Sequence, residues 1–283
     1  MAAPSGGRVQ TAPQLGLRIS AQPTGRSHIA GRRVSWPWSL PRGFYMNGLH
    51  GPLTVLPQCA AAGLLPGDHW RHDLQVDNHA GLRFVEAGAT VVHAGKAPPG
   101  VVDWRISVGA GATLALFGQP FVLLPRARLH QTFDITLHDN AIAIISDGMC
   151  LSTAAPDGQS WQSTLCVKRA DGLPILREAQ QVDGAGLARI AACHGQTHGQ
   201  SHGQSHGPAR AFASIMVFAP ADVLADLLGE LQDFVRQLKE GYGACGMLRA
   251  KQGIGLRLVC GDGGALTRAM NAAQDKLERR FFG

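Results

Sequence analysis

Histidines at 194, 198, 202 and 206 recur every fourth residue in the stretch CHGQTHGQSHGQSHGP, which runs from Cys193 to Pro208. Neutral imidazole is a good ligand for nickel, copper and zinc, and four rings on one short segment chelate at high effective concentration. Glycine follows each histidine and Gln-Thr or Gln-Ser fills the gaps, a composition that does not hold a helix and leaves the rings unorganised. Binding an ion then has to order a flexible loop, which keeps the affinity modest. Replication of a short coding repeat in an exposed hairpin loop produces the same spacing, and composition leaves both readings open.

A second dense group is Pro66-Gly67-Asp68-His69-Trp70-Arg71-His72-Asp73. His69 and His72, flanked by Asp68 and Asp73, are of the types that ligate nickel or zinc, and would serve a metal-dependent hydrolase. The competing reading is a turn in which Asp68 bonds backbone amides ahead of a strand. Asp134, His138 and His130 fall on one face of an alternating segment and read as a solvated strand face. Gly261-Asp262-Gly263-Gly264 resembles an anion-cradling loop, yet it matches neither the G-x-G-x-x-G nor the Walker A pattern and lacks a βαβ setting.

The elements that must carry these groups follow from periodicity. Trp104, Ile106 and Val108 alternate with Asp103, Arg105 and Ser107, and Phe133, Ile135 and Leu137 alternate with Thr132, Asp134 and Thr136. Such period-two segments are half-buried strands. Turn chemistry separates them at Asp77-Asn78-His79, Pro98-Pro99-Gly100, Gly109-Ala110-Gly111 and His138-Asp139-Asn140, with no helix-length insert between. A mainly β protein is expected, a twisted two-sheet body of β-helical or sandwich-like form. Past the histidine repeat the period changes to that of a helix over Ala221–Lys239, with Pro220 at its start and Gly241 beyond its end. A short strand, Ile254–Cys260, and a second helix, about Ala265–Arg280, follow. The expected organisation is a flexible basic segment over 1–33, a β body over 34–192, a histidine-rich loop over 193–208, and a helix-strand-helix region over 209–283 packed on the body.

The net charge of +6 is uneven: Arg8, Arg18, Arg26, Arg32, Arg33 and Arg42 precede Gly67 without one acidic residue. No aromatic-interleaved basic cluster of a nucleic-acid binder follows them, and no secretory core is present. They read as a solvated or partner-docking segment whose complement is an acid-rich protein. The six cysteines form no CxxC pair, which points to reduced thiols and a cytoplasmic location. No run approaches the roughly eighteen apolar residues of a membrane helix.

Several segments, in order, resemble the urease accessory protein family UreD, also called UreH. They are Gly51-Pro-Leu-Thr-Val-Leu, Gly63-Leu-Leu-Pro-Gly-Asp68, Asn78-His-Ala-Gly81, Glu86-Ala-Gly-Ala-Thr-Val-Val-His93, Val108-Gly-Ala-Gly-Ala-Thr-Leu114, Gln119-Pro-Phe-Val-Leu-Leu-Pro-Arg-Ala127, Leu176-Arg-Glu178, and the final Gly255-Leu-Arg-Leu-Val with Lys276-Leu-Glu-Arg-Arg. The resemblance implies a non-enzymatic scaffold with helices appended near its C-terminal end. It would bind a UreF-like protein that recruits a UreG-like GTPase, dock on apo-urease, and pass Ni2+ through a polar interior. No cofactor would be permanently bound, nickel being transient. The family's Gly-Asp turn falls on Gly67-Asp68 and a later acidic residue on Glu178, which become candidate carboxylates of that path, with His194, His198, His202 and His206 as an auxiliary nickel loop. Departures are Pro66 in the double-glycine turn, Gly148-Met149-Cys150 where the family has Gly-Arg, the repeat itself, and Phe281-Phe282-Gly283 in place of a Pro-Arg-x-Trp ending. A β-fold hydrolase built on Asp68, His69, His72 and Asp73, or a histidine-rich metal-storage protein, are the alternatives.

Overall fold

The computed structural model describes residues 12–153, 157–189, 209–249 and 251–282. Its strands are β1 (Leu15–Ala21), β2 (Ser27–Val34), β3 (Trp38–Ser39), β4 (Leu53–Val55), β5 (Gln58–Cys59), β6 (His69–Val76), β7 (Gly81–Val85), β8 (Val91–Val92), β9 (Gly100–Val108), β10 (Thr113–Phe117), β11 (Phe121–Leu123) and β12 (Arg128–Leu137). There follow β13 (Ile142–Leu151), β14 (Ser160–Arg169), β15 (Pro174–Asp183), β16 (Ala211–Phe218), helix α1 (Ala221–Arg236), β17 (Gly241–Met247), β18 (Gly253–Cys260) and helix α2 (Gly263–Phe281).

From β6 to β14 the chain passes back and forth between two sheets, and a small two-stranded sheet pairs β3 with β5. The seven-stranded sheet runs β15-β14-β12-β9-β6-β1-β2 and the nine-stranded one runs β17-β18-β16-β13-β10-β7-β4, with β11 and β8 beside β13. Each winding of the chain lays one strand in each sheet, parallel to the strand of the winding before: β6, β9, β12 and β14 in the first, β7, β10 and β13 in the second. The fold class is therefore the expected one, a β-solenoid-like body with helices toward its C-terminal end.

Parallel stacking aligns equivalent residues. Leu17, Leu74, Ile106, Ile135 and Val167 are register neighbours across five strands, and none is more than 3 % exposed. The corners stack too. His79, Gly111 and Asn140 hold left-handed φ angles of 60°, 62° and 57°, and backbone bonds tie each corner to the next, His79 N to Ala110 O at 3.0 Å and Gly111 N to Asp139 O at 2.9 Å. Glycine and asparagine are the residues that adopt this conformation at least cost. At Gly109 close approach decides: a Cβ there would lie 2.6 Å from Asn78 N.

The nine-stranded sheet is covered on both faces. One packs against the first sheet, and the other meets Leu224, Leu227 and Leu231 of α1 and Leu266, Met270 and Leu277 of α2. Accordingly nine of the ten residues of β13 are buried, as a strand with two covered faces requires. The outer face of the first sheet alternates with its buried face and carries His69, Arg71, Asp73, Arg105, Thr132 and Asp134.

Two boundaries differ from the expectation. Residues 15–33 are not a flexible segment: β1 pairs in parallel with β6, and β2 closes the sheet edge. The buried Leu15, Leu17 and Ile19 alternate with Gly16, Arg18 and Ser20, so a strand near Leu15 to Ile19 is present and continues into a second one, where the flexible segment is expected to run to residue 33. The region from 209, expected as helix-strand-helix, opens with the additional strand β16, which pairs antiparallel with β13 and continues the second sheet. The helices agree closely with their periodicity. Residues 1–11 and the repeat with His194, His198, His202 and His206 lie outside the described residues.

Shortening one member of the stacked inner column should therefore be costly. Leu74→Ala is expected to destabilise by about 2–5 kcal/mol, whereas Gln75→Ala, on the opposite face, should stay within about 0.5 kcal/mol. Urea unfolding measures both, and equal losses would contradict the register.

Candidate functional site

The Asp68 region divides between a turn and two faces of one strand. Gly67, at φ +87°, makes the turn, and Asp68 Oδ2 accepts a hydrogen bond from Leu65 N at 2.9 Å. This is the turn reading of that aspartate. In β6, His69 and Asp73 point outward and His72 inward, because successive side chains of a strand alternate. His69 Nδ1 lies 2.6 Å from Arg71 Nη2 and its Nε2 lies 2.6 Å from Asp103 Oδ2. A guanidinium only donates, so Nδ1 accepts and Nε2 donates, and neither nitrogen is left for a metal.

His72 is 3 % exposed, stacked on Trp104 at 4.0 Å and edge-on to Trp38 at 5.0 Å. Burial pulls its pKa down to about 3, so the ring is neutral. The alternative Asp68/His69/His72/Asp73 centre is thus not assembled, and among the described residues no three His, Cys, Asp or Glu side chains converge to hold a metal ion.

The polar interior lies elsewhere, between the two sheets at the β13 end of the body. Asp147 of β13, Ser214 of β16 and Arg257 of β18 are register neighbours across the second sheet. Facing them, Ser163 of β14 donates through Oγ to Asp147 Oδ2 at 3.3 Å. Arg257 Nη2 reaches both oxygens of Glu178 in β15, at 2.5 and 2.7 Å. This charge-assisted pair bridges the sheets at their open edge. The space among Asp147, Ser163, Glu178, Gln180 and Ser214 is a cavity of about 10 Å³, which suffices for roughly one water or one small ion.

The carboxylates form a connected series. Burial raises Asp147 to about 7; Arg257 and the serine hydroxyls oppose the rise and the charge of Glu178 adds to it. Burial likewise raises Glu86, just past β7, to about 7, although its Oε2 accepts from Gln119 N at 2.8 Å, and the charge of Asp147 adds to the rise. The Cys59 thiol of β5 is pushed up by burial and then by the charges of Asp68 and Glu86. Asp68 and Glu86 thus both act on Cys59, Glu86 senses Asp147, and Asp147 senses Glu178. Of the two carboxylates singled out in the sequence, Glu178 lines the cavity with Asp147, whereas Asp68 stays in its turn and is linked to the others only by its charge at Cys59.

Glu86 and Asp147 were not singled out. The available signal is that Asp147 is the one acidic side chain in the apolar run Ile142–Leu151. Buried acids with raised pKa values sharing an interior are the usual mark of a functional site. Oxygen donors of this type suit a divalent cation in transit, since they bind it without the closed tetrahedral cage of thiolates or imidazoles.

The model of the family described as "UreD urease accessory protein" matches residues 11–283. Curated relatives agree. "Urease accessory protein UreD 1" of Bradyrhizobium sp. strain BTAi1 is 30 % identical over 263 residues, covering 88 % of this chain and 84 % of its own length. "Urease accessory protein UreD 3" of Bradyrhizobium sp. strain ORS 278 is 31 % identical over 256 residues with the same coverage. "Urease accessory protein UreD 1" of Methylorubrum populi is 29 % identical over 280 residues, covering 96 % of this chain and 88 % of its own length.

The raised acids make stability depend on pH in a definite direction. Between the ordinary carboxyl pKa near 4 and the folded value of about 7, the native protein holds a proton that the unfolded chain has released, so stability falls as pH rises through this window. Asp147→Asn removes one such group. From pH 6 to pH 8 wild type should lose about 1 kcal/mol more than the variant, measured by urea midpoints. Parallel profiles would show that Asp147 is ionised without cost.

Proposed function

Since the chain belongs to the UreD family of urease accessory proteins and so serves urease maturation, we propose that it acts as a non-enzymatic nickel-delivery subunit. It bridges apo-urease to UreF-like and UreG-like accessory proteins and passes Ni2+ along its interior carboxylates. The observation that carries this reading is the small polar cavity between the sheets lined by Asp147 and Glu178, with the half-buried Glu86 and the turn residue Asp68 as further carboxylates toward the other end of the body.

An unoccupied buried carboxylate is costly when ionised, so Glu86 and Asp147 rest largely protonated below neutrality. An arriving dication favours the ionised form. Each step then exchanges a proton for nickel, and the site reprotonates once the ion moves on. Arg257 repels a cation and holds Glu178, so passage at that end requires the ion to compete for the Glu178 oxygens. Nickel is cargo here and Glu86, Asp147 and Glu178 are transient ligands; no covalent step and no resident cofactor enter. The free thiols of Cys59, Cys150, Cys166, Cys245 and Cys260 suit a reducing, cytoplasmic setting, and among the described residues no helix is long and apolar enough to cross a membrane. His194, His198, His202 and His206 act as an auxiliary collector, valuable when nickel is scarce.

Removing the ligands should separate delivery from assembly. Glu86→Ala, Asp147→Ala and Glu178→Ala are expected to leave the accessory complex with apo-urease intact on size exclusion while lowering the nickel content of urease by about tenfold. Normal loading in all three would sink the conduit. Excising residues 195–206 should leave folding and loading at ample nickel nearly unchanged and reduce loading only at limiting nickel; complete loss of loading at ample nickel would refute the auxiliary role.

A further inference from the structure

The acid-free part of the chain and the largest group of exposed apolar side chains occupy one edge of the body. Trp36, Phe44, Met46 and Leu49, at 72, 45, 58 and 56 % exposure, are four of the seven large hydrophobic residues exposed among the described residues. All lie in the segment that connects β2 to β4, which are the end strands of their two sheets. That segment spans the gap between them: Tyr45 Oη donates to Ser27 O at the start of β2, Phe44 bridges to Thr54 in β4, and Trp38 packs edge-on against Trp70 at 5.2 Å. Asn47 Nδ2 ties it to Phe282 O after α2 at 2.8 Å. The exposed apolar groups are thus held on a fixed framework.

Positive charge occupies the same edge. Arg32 and Arg33 of β2 and Arg42 of the segment are exposed, and among the described residues they form no ion pair. Arg26 lies over the Tyr45 ring at 4.7 Å. Of the acids on the same side of the body, Asp77 is paired with Arg18 and Glu278 with Arg83. Arg32 and Arg33 project to opposite sides of the edge strand β2 and Arg42 follows in the segment, so three unmatched guanidiniums share this edge with exposed tryptophan, phenylalanine and methionine, the composition of a protein interface in which arginine and aromatic groups carry most of the binding energy. The charge complement is acidic.

We infer that this edge, from β2 through residues 36–49, is the docking surface for an acid-rich protein surface of the urease-maturation assembly. The partner supplies carboxylates to Arg32, Arg33 and Arg42 and an apolar contact to Trp36, Phe44, Met46 and Leu49. The identity of the assembly rests on the function proposed above; the surface does not depend on the conduit.

Immobilised apo-urease and the UreF-like accessory protein of the same organism are the two probes, each titrated with full-length chain at 50 and 500 mM NaCl. One of them should bind wild type, more weakly at high salt. Arg32→Glu with Arg33→Glu should weaken that binding by about tenfold or more. Trp36→Ser with Met46→Ser should weaken it while keeping the salt dependence. Arg32→Gln with Arg33→Gln is the milder pair, and unchanged urea midpoints confirm that these variants fold. The face is wrong if neither probe binds wild type, if the variants bind as wild type does, or if a DNA duplex or phosphatidylglycerol vesicles bind this edge more tightly than either protein. Asp147→Ala separates the two ideas. Lost docking with normal nickel loading by Asp147→Ala removes the conduit and keeps the face, and the opposite pattern removes the face alone.

Discussion

In-register parallel stacking is the constraint on which the rest of this molecule depends. Because β6, β9, β12 and β14 lie side by side without offset, whatever one winding places inward the next must continue. Apolar columns satisfy this through the middle of the body, where Leu74, Ile106 and Ile135 abut. The carboxylates Asp147 and Glu86 lie at the margins of that column, where strands end or the pairing turns antiparallel, while the polar groups within it, His72 and Gln131, are uncharged. Asp147 and Ser163 meet where β16 and β15 add antiparallel strands to each sheet, and Glu86 sits just beyond the short β7.

This placement explains how carboxylates survive inside a β body. Asp147 keeps company with two serine hydroxyls and an arginine already committed to Glu178. The surroundings moderate its burial without neutralising it, and its affinity for a proton settles at about 7. A nearer arginine would hold the acid permanently ionised and paired; an apolar setting would hold it permanently protonated. Between these limits lies a group that gives up its proton when a cation offers more.

How much of this could be read from residues alone depends on how local each signal is. The alternation of Phe133, Ile135 and Leu137 and the helical period of Leu224, Leu227, Leu231 and Phe234 are local, and both elements lie where the pattern puts them. Asp68 and Glu178 came from motif resemblance. Glu86 and Asp147 did not, because nothing near Glu86 marks it as buried and the partner of Glu178 is 79 residues away in sequence. The pair of histidines at 69 and 72 misled for the opposite reason: close spacing suggests a shared ligand, but in an extended strand it puts the rings on opposite faces.

Strand β13 carries a further consequence. Ser146 and Asp147 are adjacent in sequence and, in a strand, face opposite ways. Asp147 belongs to the polar space between the sheets, while Ser146 receives a hydrogen bond from Gln274 of α2 at 3.0 Å. Helix α2 also meets the aromatic edge through Phe282 and Asn47. A single peptide unit therefore joins the helical layer to the acid that sets proton affinity inside. In mechanical terms β13 is a shared wall, and a load applied at the helix is delivered one residue from the carboxylate.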